Sequence, residues 1–377
     1  MKLIHTSDWH FGMKAGPETY QACQEYFLEQ LYALIRREGV GAVLCAGDIY
    51  DSGGVGADAI ELFNRAASTL CAELNVKFIL IAGNHDSAPR LAAHRALLKG
   101  AGMYVTGRLE REIEPVLLDG GNVAVYPIPY FSRDEAAALF PERREEIVSQ
   151  ETAFAVVCDH IRETMDPARR NIVMAHAYVV GAELSESDRA ARVGFSAAVS
   201  KDVFRGFDYT ALGHIHKPQA ITETVRYSGC PVKYSFGREE TQEKGVVLLD
   251  TDSMEQRFVP LPLLRDRKTA EGTYAELIAR EEELKNCYLR LRVTDRYAGL
   301  ELHSELRQRF PYLLEIYGKG LTESGEASVL SAEELDALDD VDIMLKFMAE
   351  RFDYTPTEEQ VNLFREVLVW SGEEDSA

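Results

Sequence analysis

Five short polar blocks, each set where a buried strand should end, constrain this chain more than any other feature. They are Asp8-Trp9-His10, Gly47-Asp48-Ile49-Tyr50-Asp51, Gly83-Asn84-His85-Asp86, Ala175-His176 and Gly213-His214-Ile215-His216. The first three follow the apolar runs Lys2 to Ile4, Val40 to Ala46 and Val76 to Ala82. The last two follow Ile172-Val173-Met174 and Tyr209 to Leu212. A strand that ends in a tight turn delivers side chains into the crevice at the carboxyl edge of its sheet. Asp, His and Asn are donors for hard-to-borderline divalent ions such as Mn or Zn. The chain holds enough of them for two ions that share one carboxylate.

Each block alone has an ordinary reading. An Asp-x-His pair is common in loops. Asn84 and Asp86 suit the caps of a type I turn. His214 and His216 fit the polar edge of a strand, although two residues apart on an extended segment their rings also face one side. It is the ordered set D-x-H, G-D-x-x-D, G-N-H-D, H and G-H-x-H, along alternating strands and helices, that makes coincidence a poor account.

Between the blocks, Tyr20, Cys23, Phe27, Leu31 and Leu34 recur at helical spacing and predict a helix between Glu18 and Glu38. A second helix is expected from Ala57 to Leu74, and a long polar one from Glu142 to Met165. Buried runs separated by helices argue for a sheet with crossover connections. Beyond Glu112 the strands shorten and become partly antiparallel, as at Val123 to Ile128, and from Ala220 to Pro262 only strands are readable. A boundary is expected near Pro260 to Lys268, where prolines meet a charge cluster. After it come a helix at Tyr274 to Leu284, a strand at Tyr288 to Val293, a helix at Tyr297 to Phe310 and a strand at Leu313 to Tyr317. A polar linker, Gly320 to Ser331, leads to two helices, Val341 to Phe352 and Thr357 to Trp370, the second opened by the capping box Thr357-x-x-Gln360. A hairpin this small cannot bury both faces unaided, so it must dock on its own body or on a partner.

Length allows two domains, or one with an appendage. No signal peptide is expected, and no apolar run is long enough to span a membrane. The six cysteines form no C-x-x-C pair and suit reduced packing residues of a cytoplasmic protein. The net charge of −21 is unevenly distributed. Residues 320–377 hold sixteen acidic and three basic residues, a net −13, which suits a protein-docking segment. The rest carries −8 and has no strong basic patch, so the isolated chain is expected to bind DNA weakly.

The ordered blocks resemble those of the calcineurin-like metallophosphoesterases. Three wider stretches are similar to the SbcD nuclease family: the opening Met1 to Gly12, Ala175-His176-Ala177-Tyr178-Val179-Val180-Gly181, and Tyr227-Ser228-Gly229-Cys230-Pro231 followed by Ser235-Phe236-Gly237. The likeness runs from residue 1 to about 260 and continues more weakly to the end. It implies an α/β fold, a two-sheet sandwich flanked by helices, with a small α/β capping domain and a C-terminal helical hairpin. The expected division is 1–265 for the nuclease domain, 266–320 for the cap and 335–372 for the hairpin.

The resemblance also implies two divalent ions, Mn being the usual activator, with Mg, Fe or Zn compatible with the donors. One would be held by Asp8, His10, Asp48 and His216, the other by Asp48, Asn84, His176 and His214. His85 would face the scissile phosphate and protonate the leaving oxygen, with Asp86 or Asp51 orienting its ring; capping of turns is the open alternative for both aspartates. Implied partners are DNA, an SbcC-type coiled-coil ATPase that grips the hairpin, and a second copy of the chain. The implied activity is a DNA nuclease, exonucleolytic on duplex ends and endonucleolytic on single strands or hairpins. A phosphodiesterase or phosphatase acting on a small nucleotide would use the same metal set.

Overall fold

Two six-stranded sheets carry the polar blocks. A computed structural model describes residues 1–16, 18–188, 198–297 and 299–318, and positions 341, 345, 356, 357 and 360–363 farther on. It divides into two compact units, Met1–Arg267 and Lys268–Ala377.

In the first unit, one sheet runs edge to edge through Gln256–Pro260, Gly245–Asp250, Lys2–Thr6, Val40–Ala46, Lys77–Ile81 and Met103–Thr106. The last four of these strands are mutually parallel. The other sheet runs through Gln219–Ala220, Val225–Tyr227, Tyr209–Gly213, Arg170–His176, Val123–Ile128 and Val116–Leu118, with a parallel centre and antiparallel edges.

The apolar runs are unbroken because both faces of each sheet are covered. Successive side chains point to opposite faces. Thus Leu3, Ala42, Leu44, Ala46, Ile79 and Ile81 face inward onto Val125, Ile172, Met174, Tyr209 and Ala211 of the other sheet. Their neighbours Ile4, Val43, Cys45, Phe78 and Leu80 face outward under Phe27, Leu31, Leu34 and Leu62 of the helices Gln21–Glu38 and Ala57–Ser68. On the far side, Tyr126, Val173 and Ala175 lie under Phe154, Val157, Cys158 and Ile161 of the helix Gln150–Thr164. This is the two-sheet sandwich flanked by helices that the sequence implied. The cysteines are all free, and all but the half-buried Cys71 are buried.

Local details depart from the periodicity reading for identifiable reasons. The first helix begins at Gln21, because Glu18–Thr19 pairs with Lys14–Ala15 as a short hairpin. The second is regular to Ser68 and widens into a π turn over Thr69–Glu73. The third starts at Gln150, not Glu142. Ser149 and Thr152 form a reciprocal cap there, while Pro141–Arg143 is only a single 3-10 turn. The stretch expected to hold strands alone contains a 3-10 segment, Gly237–Thr241.

In the second unit, Arg267–Gly272, Tyr288–Val293 and Leu313–Tyr317 make a three-stranded sheet that begins at the last residue of the first unit. Leu277, Leu284, Leu289, Leu291, Leu306 and Phe310 form its core. The helix expected at Tyr274 to Leu284 is broken at Arg280 into Tyr274–Ala279 and Glu281–Leu284. The next helix runs Leu300–Arg309. Most of the expected C-terminal hairpin lies outside the described residues. Within them, the Thr357 amide donates to Gln360 Oε1 at 2.9 Å and the Gln360 amide to Thr357 Oγ1 at 3.4 Å, the two halves of the anticipated capping box.

Candidate metal centre

All five blocks meet at the carboxyl edge of the two sheets. The Lys2–Thr6, Val40–Ala46 and Lys77–Ile81 strands deliver Asp8 and His10, Asp48 and Asp51, and Asn84, His85 and Asp86. From the facing sheet, Arg170–His176 ends on His176 and Tyr209–Gly213 leads into His214 and His216.

Trp9 explains the first turn. Its indole is fully buried, stacked on Phe78 and hydrogen-bonded through Nε1 to Thr6 Oγ1 at 2.9 Å. With Trp9 pointing into the core, Asp8 and His10 on either side are turned toward the site. The backbone is held by amides of Asp8, His10 and Phe11 donating to the carbonyls of Gly47, Asp48 and Ile49 at 2.9–3.0 Å. Asp8, His10, Asp48 and His214 all have positive φ, at 53°, 46°, 50° and 96°. Such strain in non-glycine residues persists only where the surroundings over-determine it.

Approach of the two sheets depends on glycine at Gly47, where a Cβ would overlap the His176 ring, and at Gly213. A Cβ on Gly213 would overlap the Ala46 carbonyl oxygen and press His176 Nδ1 at 2.9 Å. Backbone cannot yield as a flexible side chain can. Gly213→Ala is expected to destabilise the protein by about 2–3 kcal/mol, as overpacking does. Denaturant unfolding measures this, and a variant within about 0.5 kcal/mol of wild type would contradict it.

The donors fall into two groups. Ligand-capable atoms of Asp8, His10 and His216 lie within 4.8 Å of one another, as do those of Asp48, His176 and His214. Asn84 Oδ1 joins the second group, 3.0 Å from His176 Nε2 and 2.9 Å from His214 Nδ1. Asp48 joins the two groups, since its Oδ2 is 3.3 Å from His176 Nε2 and 3.8 Å from His10 Nε2. Asp8 and Asp48 also brace the loops: Asp8 Oδ1 accepts from the His214 amide and Asp48 Oδ1 from the His85 amide, each at 2.9 Å.

The chemistry of this donor set fits divalent cations. His10 Nε2 and His216 Nε2 face each other at 3.1 Å, and buried His10 Nδ1 has no hydrogen-bond partner. Two buried carboxylates are packed among four buried or nearly buried imidazoles with few other donors to neutralise them. The protons alone are unevenly shared. Burial works against a charged His176, yet the adjacent Asp48 carboxylate raises it to about 9. Burial and the His176 charge push His214 down to about 3. A cation at either group would take the imidazole and carboxylate lone pairs in place of these shared protons.

His85 lies at the rim. Its ring is 5.0 Å from that of His10, and its Nδ1 donates to the Asp51 main-chain carbonyl at 2.7 Å. The carbonyl can only accept, so the proton sits on Nδ1 and Nε2 is left as the free ring nitrogen of the neutral form. The orienting group is therefore the Asp51 backbone. The Asp51 carboxylate instead lies 3.5 Å from His10 Nδ1. Asp86 makes no described contact with the His85 ring. Its carboxylate accepts from the amides of Gly83, Ile49 and Tyr50 at 2.9–3.2 Å, which pins the second block to the third. Burial pushes its pKa up to about 6, against those three bonds. Three nearby amides thus hold the carboxylate in the manner of a turn cap.

The described residues include neighbours that the motifs did not single out. Ser187 Oγ is 2.8 Å from His216 Nδ1, and Asp188 Oδ1 accepts from the His216 amide at 3.0 Å. Buried Gln24, inside the first helix, donates to the His10 carbonyl at 2.8 Å. Tyr130, half exposed, sets its ring 6.3 Å from that of His176. Only the Ser-Glu-Ser-Asp run at 185–188 carried a local signal, as a polar cluster between the fourth and fifth blocks. His5 is a packing histidine, held between Tyr209 Oη and the Leu212 carbonyl and kept neutral by burial, which lowers it to about 3.

The chain is similar to known proteins along most of its length. The family description "Calcineurin-like phosphoesterase" matches residues 1–218, and "Type 5 capsule protein repressor C-terminal domain" matches 257–352. The SbcD component of the nuclease SbcCD from Staphylococcus epidermidis is 30% identical over 322 residues, 84% of this chain and 85% of that protein. Its counterpart of the same name from Staphylococcus saprophyticus is 32% identical over 289 residues, 76% of each.

The chain belongs to the SbcD nuclease family.

Its catalytic unit is a calcineurin-like phosphoesterase, and as an SbcD-family enzyme it is a metal-dependent nuclease. A solved archaeal phosphodiesterase overlays 69% of this chain and 100% of its own at 15% identity, with a TM-score of 0.33. Among the described residues no helix is long and apolar enough to cross a membrane.

Proposed function

We propose that this SbcD-family enzyme hydrolyses phosphodiester bonds of DNA at a dinuclear centre, acting as an exonuclease on duplex ends and an endonuclease on single strands or hairpins. The observation that carries this reading is the single carboxylate, Asp48, set between two groups of donors at the carboxyl edge. Asp8, His10, Asp48 and His216 would hold one ion, and Asp48, Asn84, His176 and His214 the other. Mn is the proposed native metal, and Mg, Fe or Zn suit the same oxygen and imidazole donors. Bound there, two divalent ions would neutralise charge building on the phosphoryl oxygens and lower the pKa of a water between them.

The protein's own groups do the rest. The strained turns at Asp8, His10, Asp48 and His214 hold the donors in place before substrate arrives. His85, with Nδ1–H tied to the Asp51 carbonyl, keeps Nε2 for the substrate and in its protonated form would deliver a proton to the leaving oxygen. Asp86 ties the Asp48 and His85 loops together, so the shared carboxylate and the proton donor move as one body.

The chain's charge supports a division of labour. With −21 overall and no strong basic patch, it relies on a partner for much of its grip on DNA. We assign that role to an SbcC-type ATPase, bound through the C-terminal hairpin at 335–372, with 266–320 as a cap that positions DNA and a second copy completing a homodimer in the cytoplasm. Deleting residues 335–377 is expected to leave hydrolysis of simple substrates intact and to abolish co-purification with SbcC. Full-stoichiometry capture by the truncated chain would refute the docking role, provided melting shows both forms folded.

The deciding test of substrate uses the purified chain with Mn, labelled duplex, single-stranded DNA and bis-p-nitrophenyl phosphate. Metal-dependent cleavage of DNA is expected. Turnover of the small diester with no cleavage of either DNA would favour a phosphodiesterase of small nucleotides instead.

A further inference from the structure

Behind His216, away from the other donors, lies a fully buried ion pair that the reaction does not use. Lys244 Nζ is 2.7 Å from Glu239 Oε1, and both side chains are inaccessible to solvent. Burying two charges is costly unless each is fully satisfied. Here the satisfaction is complete and directional. Glu239 Oε1 also accepts from Cys230 Sγ at 3.2 Å, and Oε2 accepts from the Ser235 amide at 2.8 Å and from Ser187 Oγ at 3.0 Å. Lys244 donates onward to the His216 carbonyl at 2.9 Å. Burial opposes the charge on Glu239, but Lys244 and Ser235 hold it well below the usual carboxylate range.

Oε2 accepts from Ser235 Oγ as well, at 2.5 Å, and the contacts favour one placement of the protons. An ionised carboxylate can only accept, so Ser187 spends its single hydroxyl proton on Glu239. Its lone pair is then left for His216 Nδ1, 2.8 Å away, which must carry a proton. A neutral His216 protonated at Nδ1 has a bare Nε2, the atom that faces His10 Nε2 at 3.1 Å. The backbone of His216 is held at the same time, its amide by Asp188 and its carbonyl by Lys244.

We propose that Glu239, Lys244 and Ser187 are positioning residues that fix His216 in the tautomer able to ligate a metal through Nε2. The proposal rests on the reading of His216 as a ligand. It makes the buried ion pair a support of the metal site: the Glu239 carboxylate lies within 4.8 Å of a His216 ring nitrogen but is taken up by Lys244, Cys230, Ser235 and Ser187. Partners of ligating histidines commonly change metal affinity by about 10–100-fold when removed.

Glu239→Gln tests the direction of the relay. The full charge of the Lys244 ammonium draws the amide oxygen to its side, which turns the amide NH2 toward Ser187 and against the neutral Ser235 N–H, the weaker of the two conflicts. Ser187 then accepts from Gln and donates its own proton to His216 Nδ1, which moves the ring proton to Nε2. Replacing Lys244 as well, in Glu239→Gln/Lys244→Met, frees the amide to present its oxygen to Ser187 and restores the original tautomer. Ser187→Ala removes the link with little disturbance, since that side chain is only half-buried.

Two readouts are needed, neither of them turnover. Metal-free protein with isotope-labelled histidine gives the His216 tautomer by long-range nitrogen–proton correlation, and Mn titration by calorimetry gives the affinity of each ion. Expected results are Nδ1–H in wild type, Nε2–H in Glu239→Gln, and a loss of about 10–100-fold for one ion only in Glu239→Gln and in Ser187→Ala. The double variant should recover the Nδ1–H tautomer and most of the lost affinity, short of the part that rests on the Lys244 bond to the His216 carbonyl. Wild-type protein that fails to bind two ions would sink the metal reading itself. Wild-type protein that binds two ions while Glu239→Gln keeps tautomer and affinities would overturn the relay alone. A double variant as weak as the single would make the effect one of buried charge and also overturn it. Where either buried variant fails to fold, Ser187→Ala decides, and unchanged Mn affinity there overturns the proposal.

Discussion

Asp48→Asn is expected to abolish hydrolysis and to weaken both metal positions. The carboxylate is buried between two imidazoles, with Oδ2 3.3 Å from His176 Nε2 and 3.8 Å from His10 Nε2. An amide can keep the bond from the His85 amide through its oxygen, so the loop should remain in place. It cannot keep the charge, and its NH2 would point at the two ring nitrogens instead of a cation. Loss of several kcal/mol of charge stabilisation corresponds to a rate loss on the order of a thousandfold or more. Calorimetric Mn titration and turnover of bis-p-nitrophenyl phosphate on the same folded sample measure both effects. Two ions bound at wild-type affinity with normal turnover would exclude a shared carboxylate.

His85→Gln is expected to do the opposite to binding. Both ions and DNA should still bind, while turnover falls about 10²–10⁴-fold, the usual cost of losing a general acid. The ring is positioned by the Asp51 carbonyl at 2.7 Å and is not required to complete either group of donors. A competing role is concrete, because His10, Asp51 and His85 also present donor atoms within 4.8 Å of one another. Anomalous scattering from Mn-soaked crystals separates the two: loss of one ion in the variant would make His85 a ligand and remove it as the proton donor.

Much of the site was legible as local pattern. The apolar runs ending at Ile4, Ala46, Ala82, Met174 and Leu212 announced where strands stop, because both faces of each strand are buried and the run is unbroken. The donor types after each run announced cations. The described structure divides between Arg267 and Lys268, and the stretch Pro260 to Lys268 carries prolines and a charge cluster. Helix starts were less legible. Ser149, not the acidic stretch before it, decides where the third long helix begins, since only a residue with a side-chain acceptor at that point can satisfy the free amides of the first turn.

The sequence alone determined which residue types reach the carboxyl edge and in what order. Tertiary structure alone decided how they combine. Asp48 stands between His10 of its own sheet and His176 of the other because Leu44 and Ile79 pack against Ile172 and Met174, and a contact between strands so far apart in the chain leaves no periodic trace. The same holds for Asp86, whose carboxylate had equal claim on a ring and on backbone until three amides were brought beside it. It holds again for Ser187 and Glu239, ordinary polar residues in sequence, whose roles follow from burial beside Lys244. Hydrophobic period and turn chemistry act over a few residues and can be read along the chain. Hydrogen-bond direction in a buried cluster is set by every neighbour at once, and only the folded structure supplies the neighbours.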